Sequence, residues 1–185
     1  MLGTEERTKL RFSEERKTMD KTKIDWCDST WNPVTGCLHG CEYCYAKSIA
    51  NRFGCHAKAE NNVETVIHPW KDSDSGKVLP YPFDFYPTFH RYRLNEYLNK
   101  KGRNIFVCSM ADLFGEWVPD SWIYEVFEAC DKAPQHNYLF LTKNPGRYEK
   151  LLNCYMPPNM WFGWSQTGPA GADFSFSTHH SVHTF

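Results

Sequence analysis

The sequence predicts an α/β fold, and specifically a partial (β/α) barrel that is truncated after about the fifth strand. Strand-like apolar runs alternate with helical patterns from residue 23 onward. Because parallel strands need crossover helices between them, this alternation indicates a parallel sheet. About five strand candidates are present, fewer than the eight of a complete barrel. A chain of 185 residues is long enough for one domain with its own core.

The strand candidates follow one another along the chain. The first, "STWNPVTG", runs into a cysteine-rich loop, and the second, "FDFYPTFHRYRL", is aromatic and is broken by Pro87. Two uninterrupted apolar runs are typical of strands buried on both faces, "NIFVCSMADLF" and "NYLFLTKN". A last strand begins at "NMWFGW", and the polar residues 56–80 are predicted to be a long excursion.

A first helix is predicted directly behind the cysteine loop. Four apolar residues repeat with helical spacing and are expected to form its buried face: Ala46, Ile49, Ala50 and Phe53. Gly54 is placed to end this helix.

Two further helices follow later strands. Asp120 is predicted to cap the second helix, whose inward residues would be Ile123, Val126, Phe127 and Cys130. Asn144 and Pro145 are predicted to open the third helix. Its inward residues would be Tyr148, Leu151 and Leu152.

The chain divides into three parts by composition. Residues 1–22 are charged and poor in large apolar side chains, and are predicted to be a flexible extension, with Met19 as an alternative start. Residues 23–164 form the predicted β/α domain. Residues 165–185 are rich in Ser, Thr, Gly and His with no helix after the fifth strand, and are predicted to be a disordered or aberrant tail.

Composition excludes some functional classes. The formal net charge of −1 gives no overall field toward nucleic acid or anionic lipid. No run of about eighteen apolar residues is present for a membrane span, and no secretory signal opens the chain. The sequence therefore predicts a cytoplasmic protein, in which 8 cysteines serve as thiols or metal ligands.

The segment "GCLHGCEYCYA" contains the most specific motif in the chain. Cys37, Cys41 and Cys44 follow a C-x3-C-x2-C pattern. Three thiolates so closely spaced are suited to a 4Fe–4S cluster, with one iron left open to a small molecule. Gly36 and Gly40 give the loop the backbone freedom to wrap around a cluster.

Two other interpretations of the cysteines stay open. A structural zinc site needs a fourth ligand, for which the candidates are Cys27, Cys55, His39 and His56. Free buried thiols are the simpler interpretation. It is the one applied to the cysteines that lie in apolar patterns, Cys108, Cys130 and Cys154.

Four polar residues follow predicted parallel strands and are candidates for ligand binding. Ser109 and Asp112 come after the third strand, and Thr142 and Lys143 after the fourth. In parallel β/α folds, ligands bind at the carboxyl ends of the strands. The alternatives are that Asp112 caps the following turn and that Lys143 is a solvated strand end.

Five ordered blocks together resemble a phage- and prophage-associated family of uncharacterised proteins in the radical S-adenosylmethionine (SAM) superfamily. They are "TKIDWCDSTWNPVTGC", "CEYCYA", "FYPTFHRYRL", "IFVCSMADLFGEWVP" and "LFLTKNPGRYEKLL", covering residues 22 to about 163. The resemblance implies that Cys37, Cys41 and Cys44 ligate a 4Fe–4S cluster and that Tyr43 lies near the SAM adenine. In that superfamily SAM chelates the open iron, and its reductive cleavage gives a 5′-deoxyadenosyl radical that abstracts hydrogen from a substrate.

The resemblance also implies partners. Reduction of the cluster would need a small electron donor of flavodoxin or ferredoxin type. Aromatic content would permit stacking on DNA or RNA bases, but the neutral charge gives a nucleic-acid partner no support, and no membrane partner is expected. Two alternatives remain, a zinc-stabilised binding module without catalysis and a truncated, inactive remnant.

Overall fold

The computed structural model describes residues 22–151, 158–168, 171–178 and 181–184. The predicted N-terminal extension, apart from residue 22, lies outside the described residues, as do Leu152 and Cys154. The strands are β1 (Ser29–Trp31), β2 (Val34–Thr35), β3 (Glu64–Val66), β4 (Thr88–His90), β5 (Asn104–Val107), β6 (Asn137–Thr142), β7 (Met160–Gly168), β8 (Gly171–Thr178) and β9 (Ser181–Thr184). The helices are α1 (Tyr45–Phe53), α2 (Asp120–Asp131) and α3 (Gly146–Leu151), with a 3-10 turn at Arg91–Arg93.

The larger sheet has six strands in the order β1-β5-β6-β7-β8-β9. Its first four strands are parallel, with Trp31 opposite Val107 and Phe140 opposite Phe162. Helix α2 connects β5 to β6, and α3 lies between β6 and β7. The prediction of a parallel sheet with crossover helices is therefore confirmed. Among the described strands neither sheet closes on itself, so the architecture is an open mixed α/β fold.

A smaller sheet has three strands in the order β2-β4-β3. Strand β4 begins at Thr88, directly after Pro87, because proline has no N–H to donate to a sheet. Strand β3 pairs with β4 in parallel and lies within residues 56–80, which the sequence predicted to be an excursion. With Thr65 exposed between two buried neighbours, this strand is too short to give a recognisable alternation.

The core lies between the large sheet and helix α2. All four residues predicted to face inward from α2 are buried, which confirms that face: Ile123, Val126, Phe127 and Cys130. Phe114 contacts several other rings edge-on, with centroids 5.9 Å from Phe140 and 4.7 Å from Tyr148. The high aromatic content therefore fills this core.

The helix starts differ slightly from the predictions. Asp120 is the first residue of α2 and not its cap, because Pro119 occupies the cap position with extended backbone. There the Asp120 carboxylate accepts an ion-pairing hydrogen bond from Arg147 of α3. Tyr148 and Leu151 of α3 are buried, as predicted.

Helix α1 forms where it was predicted but buries only part of its predicted face. Ala46 and Ala50 are buried, whereas Ile49 is 38% exposed and Phe53 is 52% exposed. The predicted four-residue apolar face is therefore wrong for Ile49 and Phe53. Alanine lets a helix backbone approach its neighbours closely, so the two alanines mark the contact side and the larger residues turn outward.

The C-terminal segment, expected to be disordered or aberrant over 165–185, contains the end of β7 and strands β8 and β9. Strand β8 pairs antiparallel with β7, with Phe162 opposite Ser177, and β9 pairs antiparallel with β8. In the part of the chain that is described, no helix is long and apolar enough to cross a membrane.

Candidate functional site

A cavity of about 340 Å³ opens at the carboxyl ends of β5 and β6, beside the cysteine loop and the start of α1. Its apolar wall includes Phe85, Phe106 and Leu141. All eight residues that the sequence singled out for cofactor or metal binding line this one cavity: Cys37, Cys41, Tyr43, Cys44, Ser109, Asp112, Thr142 and Lys143. Residues more than 100 positions apart in the sequence therefore share one site.

The backbone of the cysteine loop is hydrogen-bonded to the segment that follows β5 and to the segment that precedes β4. The N–H of Gly36 donates to the Met110 carbonyl at 2.9 Å, and the N–H of Cys37 donates to the Phe85 carbonyl at 3.2 Å. Gly36 has a φ of +85°, and a Cβ atom there would overlap the Tyr86 carbonyl oxygen. Only glycine satisfies both conditions, so this position fixes where the loop enters the cavity.

The last cysteine of the motif also caps helix α1. Cys44 has extended backbone, and its sulfur accepts a hydrogen bond from the Lys47 N–H at 3.4 Å. The N–H of Cys44 in turn donates to the Cys41 carbonyl at 3.3 Å. The third sulfur is therefore held at the positive end of a helix, where negative charge is favoured.

Cys37, like the other two motif cysteines, is half-buried. Burial is the main cause that raises the pKa of its thiol; the backbone of His39 opposes the rise, nearby Asp112, Cys44 and Cys41 add to it, and the resulting pKa is about 11. The same neighbours show that the three sulfurs and the carboxylate lie close enough to interact. Cys37 is protonated at neutral pH, so a metal would have to displace its proton.

Asp112 is the centre of a hydrogen-bond network at the edge of the sheet. Its Oδ1 accepts from the Thr142 hydroxyl at 2.7 Å and from the Phe114 N–H at 3.0 Å. Its Oδ2 accepts from His39 Nε2 at 2.8 Å and from the Lys143 N–H at 2.9 Å. One buried carboxylate thus joins the end of β6, the β5 loop and the cysteine loop.

The hydrogen bonds of this network give Asp112 and Thr142 a structural role in the cavity wall. With four donors in place, Asp112 has its acceptor capacity largely used within the protein. Thr142 is buried, donates to Asp112 and accepts from the Asn144 N–H at 2.9 Å. The Phe114 contact is the turn cap considered from the sequence, but the other three contacts make Asp112 a structural hub of the cavity wall.

Lys143 and Tyr43 meet across the mouth of the cavity. Lys143 Nζ lies 3.4 Å from the Tyr43 hydroxyl and 5.8 Å from its ring centroid. Tyr43 is 65% exposed, so one face of its ring is accessible. Among the described residues that line the cavity, Lys143 is the only lysine or arginine. It is placed to receive an anionic group of a ligand.

Ser109 contributes mainly through structure. Its hydroxyl donates to Asn32 Oδ1 at 3.1 Å, and its carbonyl accepts from the Tyr45 hydroxyl at 2.7 Å. The second contact fastens the first turn of α1 to the end of β5. Tyr45 was not singled out from the sequence, although its position directly after the third cysteine was a signal that it would reach the site.

His39 is the second cavity residue that was not assigned a site role. It appeared only among the possible fourth zinc ligands, and of those four candidates it alone lines the cavity. Cys27 is buried elsewhere, Cys55 donates to the Pro82 carbonyl, and His56 pairs with Asp84. The position of His39 inside the C-x3-C segment was the available signal.

The fit of the cysteines to a metal group rests on their chemistry and their common cavity. Within the described residues, no three His, Cys, Asp or Glu side chains are drawn together as metal ligands. Three thiols nonetheless face one largely apolar cavity from a single loop, which is the donor set that a cluster with an open iron requires. The residues therefore fit the group, and binding would need the side chains to converge.

Cys108 and Cys130, read from the sequence as structural thiols, are buried. Burial raises the pKa of Cys108 to about 12. Cys108 also lines the cavity and has a φ of +59°, so the chain bends sharply where β5 gives way to the site. Its thiol contributes an apolar wall at neutral pH.

The fold and the site define an α/β protein with a cysteine-lined cavity at the carboxyl edge of a parallel sheet. The chain belongs to DUF5131, a family of proteins of unknown function, whose family model matches residues 21–176. The matched region includes the cysteine loop, Asp112 and Lys143. No curated protein and no solved structure matches the chain.

Proposed function

We propose that the protein is a radical SAM-like iron–sulfur protein that binds one 4Fe–4S cluster and SAM and initiates radical chemistry on a substrate. One observation carries the proposal: Cys37, Cys41 and Cys44 line the same cavity as the polar ends of β5 and β6. A zinc-only or free-thiol role would not require that cavity. The proposal includes a phage or prophage origin, for which the ordered sequence blocks are the support.

The roles of the three cysteines follow from the loop. Cys37, Cys41 and Cys44 would each ligate one iron, leaving the fourth iron for a small molecule. When bound, the cluster and SAM supply one-electron cleavage of a sulfur–carbon bond. The protein contributes a loop whose backbone is held by Gly36 at one end and by helix α1 at the other, so that the cysteine side chains are what would have to converge on a metal.

The rest of the cavity would bind and orient SAM. Lys143 supplies a positive charge for a carboxylate, and the exposed Tyr43 ring offers a flat surface for an adenine. Asp112 and Thr142 keep the strand ends rigid through their mutual hydrogen bond. The apolar wall excludes water from the reacting atoms.

The proposal extends to location and electron supply. A small donor of flavodoxin or ferredoxin type would deliver one electron to the cluster. Cytoplasmic location is supported by the seven described cysteines, all of which are free thiols.

The test is anaerobic reconstitution with iron and sulfide, followed by reduction and EPR with and without SAM. We expect a cluster signal that changes when SAM is added and is lost in Cys41→Ala. Cys130→Ala is the matched control, since Cys130 is a free thiol outside the cavity and should leave the signal intact. A cluster signal indifferent to SAM, or no iron uptake at all, would contradict the proposal.

A second candidate is the zinc-stabilised binding module, which one contact favours. Histidine ligands of zinc usually donate their other ring N–H to a carboxylate, and His39 Nε2 donates to Asp112 at 2.8 Å. His39 Nδ1 would then complete a Cys3His set with the three cysteines. Metal analysis of protein purified without oxygen separates the two candidates: about one zinc per chain with no iron supports the module.

A further inference from the structure

The ring of His39 is fixed by contacts on two sides. Nε2 donates to Asp112 Oδ2 at 2.8 Å, and the ring packs edge-on against Trp117 with centroids 4.9 Å apart. The side chains of His39 and Asp112 are 24% and 7% exposed, so their hydrogen bond is largely shielded from water. A shielded hydrogen bond to a charged group is stronger than a neutral one at the surface.

The partner of His39 is itself immobile. Asp112 is held at the same time by Thr142, by the Lys143 N–H and by the Phe114 N–H. The ring of His39 is thereby attached to the ends of two neighbouring parallel strands. Any movement of the loop at His39 would have to break this attachment.

Other ties of the loop lie at its ends. Gly36 and Cys37 are held by backbone hydrogen bonds, and Cys44 by its capping of α1. Between Cys37 and Cys41, in the described structure, the side-chain hydrogen bonds to the rest of the protein come from His39 alone. Leu38, next to it, is half exposed.

His39 also lies between two of the motif cysteines. It follows Cys37 by two residues and precedes Cys41 by two, so fixing its ring to Asp112 restricts where both of those sulfurs can lie. Outer contacts that orient ligating side chains tune the group they bind.

We infer that His39 is a positioning residue: its bond to Asp112 holds the cysteine loop against the sheet and thereby restricts where Cys37 and Cys41 can lie. The inference rests on the proposed function only where it concerns a bound cluster. Its structural half concerns the metal-free protein and can be tested there.

The first measurement is hydrogen–deuterium exchange of metal-free protein over the peptide 36–44. His39→Phe keeps a ring against Trp117 but removes the hydrogen bond, and the Gly36 and Cys37 amides should exchange about tenfold faster. His39→Gln keeps an N–H donor and should restore slow exchange. The matched control is His56→Phe, which breaks a similar 2.9 Å pair with Asp84 outside the cavity and should not alter this peptide.

The second measurement is the cluster itself, by EPR and by reduction potential after reconstitution. With the loop no longer held to Asp112, the cysteine ligands should be less uniformly placed. His39→Phe should therefore have an altered reduction potential and a broadened signal, while His39→Gln resembles the wild type. A merely structural role would lower the melting temperature without shifting the potential. If His39→Phe does not melt cooperatively, His39→Asn replaces it in both measurements, because the asparagine side chain is too short to reach Asp112.

The outcomes separate the inference from the proposed function. Wild-type exchange in His39→Phe overturns the inference, whether or not iron binds. If His39→Phe exchanges faster but the wild type takes up no iron, the role of His39 in holding the loop is supported and the proposed cluster is refuted. Zinc uptake by the wild type that His39→Phe and His39→Gln both abolish makes His39 a ligand, and that result also overturns the positioning role.

Discussion

The hydroxyl of Thr142 donates a 2.7 Å hydrogen bond to Oδ1 of Asp112, a residue 30 positions earlier in the chain. Both residues are buried at the carboxyl ends of neighbouring parallel strands. This contact joins β6 to the loop after β5 and forms one wall of the cavity. Stability and site geometry are therefore coupled at this point.

Replacing Thr142 by valine should lower the free energy of unfolding by about 2 kcal/mol, because a buried carboxylate loses a donor without any change in side-chain volume. Urea denaturation measures the change. Thr65→Val is the matched control, since Thr65 is exposed in the middle of β3 and should differ from the wild type by less than about 0.5 kcal/mol. Equal losses in the two variants would contradict the role assigned to the contact.

Gly36→Ala should destabilise the protein by about 3 kcal/mol, because the new Cβ atom meets the Tyr86 carbonyl and the residue must adopt a positive φ. Gly40→Ala, in the same loop with a φ of +68° and open space around it, should cost only about 1 kcal/mol. Thermal denaturation of the two variants gives the comparison. If Gly36→Ala were as stable as Gly40→Ala, the close approach would not be a constraint.

His90 predicts a dependence of stability on pH. It is fully buried, its Nε2 lies 2.8 Å from the Thr35 hydroxyl oxygen, and burial, helped by nearby Arg93, lowers the pKa of its ring to about 3. In the unfolded chain the His90 ring takes up a proton near pH 6.5, whereas in the folded chain the same ring stays neutral at this pH. Stability is therefore fully present above pH 6.5 and is lost as the pH falls toward 3.

Between pH 7 and pH 5 this single histidine should remove about 2 kcal/mol from the free energy of unfolding. Denaturation curves at the two pH values measure the loss, and His90→Gln should reduce it. His68→Gln, at an exposed position, should leave the pH dependence as in the wild type. A His90→Gln variant with an unchanged pH dependence would show that other groups cause it.

The outward face of α1 makes a prediction about packing. Ile49→Ser should change stability by less than about 1 kcal/mol, since Ile49 is substantially exposed. Ala50→Leu should destabilise by about 2 kcal/mol, because Ala50 has no exposed surface and the added atoms have no space. The reverse order in chemical denaturation would restore the face predicted from the sequence.

Much of the fold was predictable because its signals are local. Strands β5 and β6 are apolar runs of strand length, and α2 has a single apolar face, so the sequence determines which side is buried. Helix α1 has one apolar face by its spacing, of which the two alanines are buried while Ile49 and Phe53 remain partly exposed. Which residues of α1 pack inward depends on how closely the neighbouring loops approach, and such tertiary contacts cannot be read from the spacing of residues within the helix.

The sequence predicted where the site lies, but it did not predict the hydrogen bonds that connect the site residues. The rule that ligands bind at the carboxyl ends of parallel strands brought Ser109, Asp112, Thr142 and Lys143 to the same cavity as the cysteines. The contact between His39 and Asp112 spans 73 residues, and no spacing pattern encodes such a contact. A carboxylate with four donors can be recognised only once the chain segments are in place.

The antiparallel β8 and β9 extend the large sheet beyond β7, at the edge where a further parallel unit would have to pair. In a closed β-barrel, the number and tilt of the strands fix the circumference, and the circumference limits the size of the ligand. The described sheet is open, so no such limit applies, and the width of its cavity is set by the cysteine loop and the first turn of α1. The size of the pocket is thus set by local segments, the cysteine loop, the start of α1 and the ends of β5 and β6, and not by the number of strands.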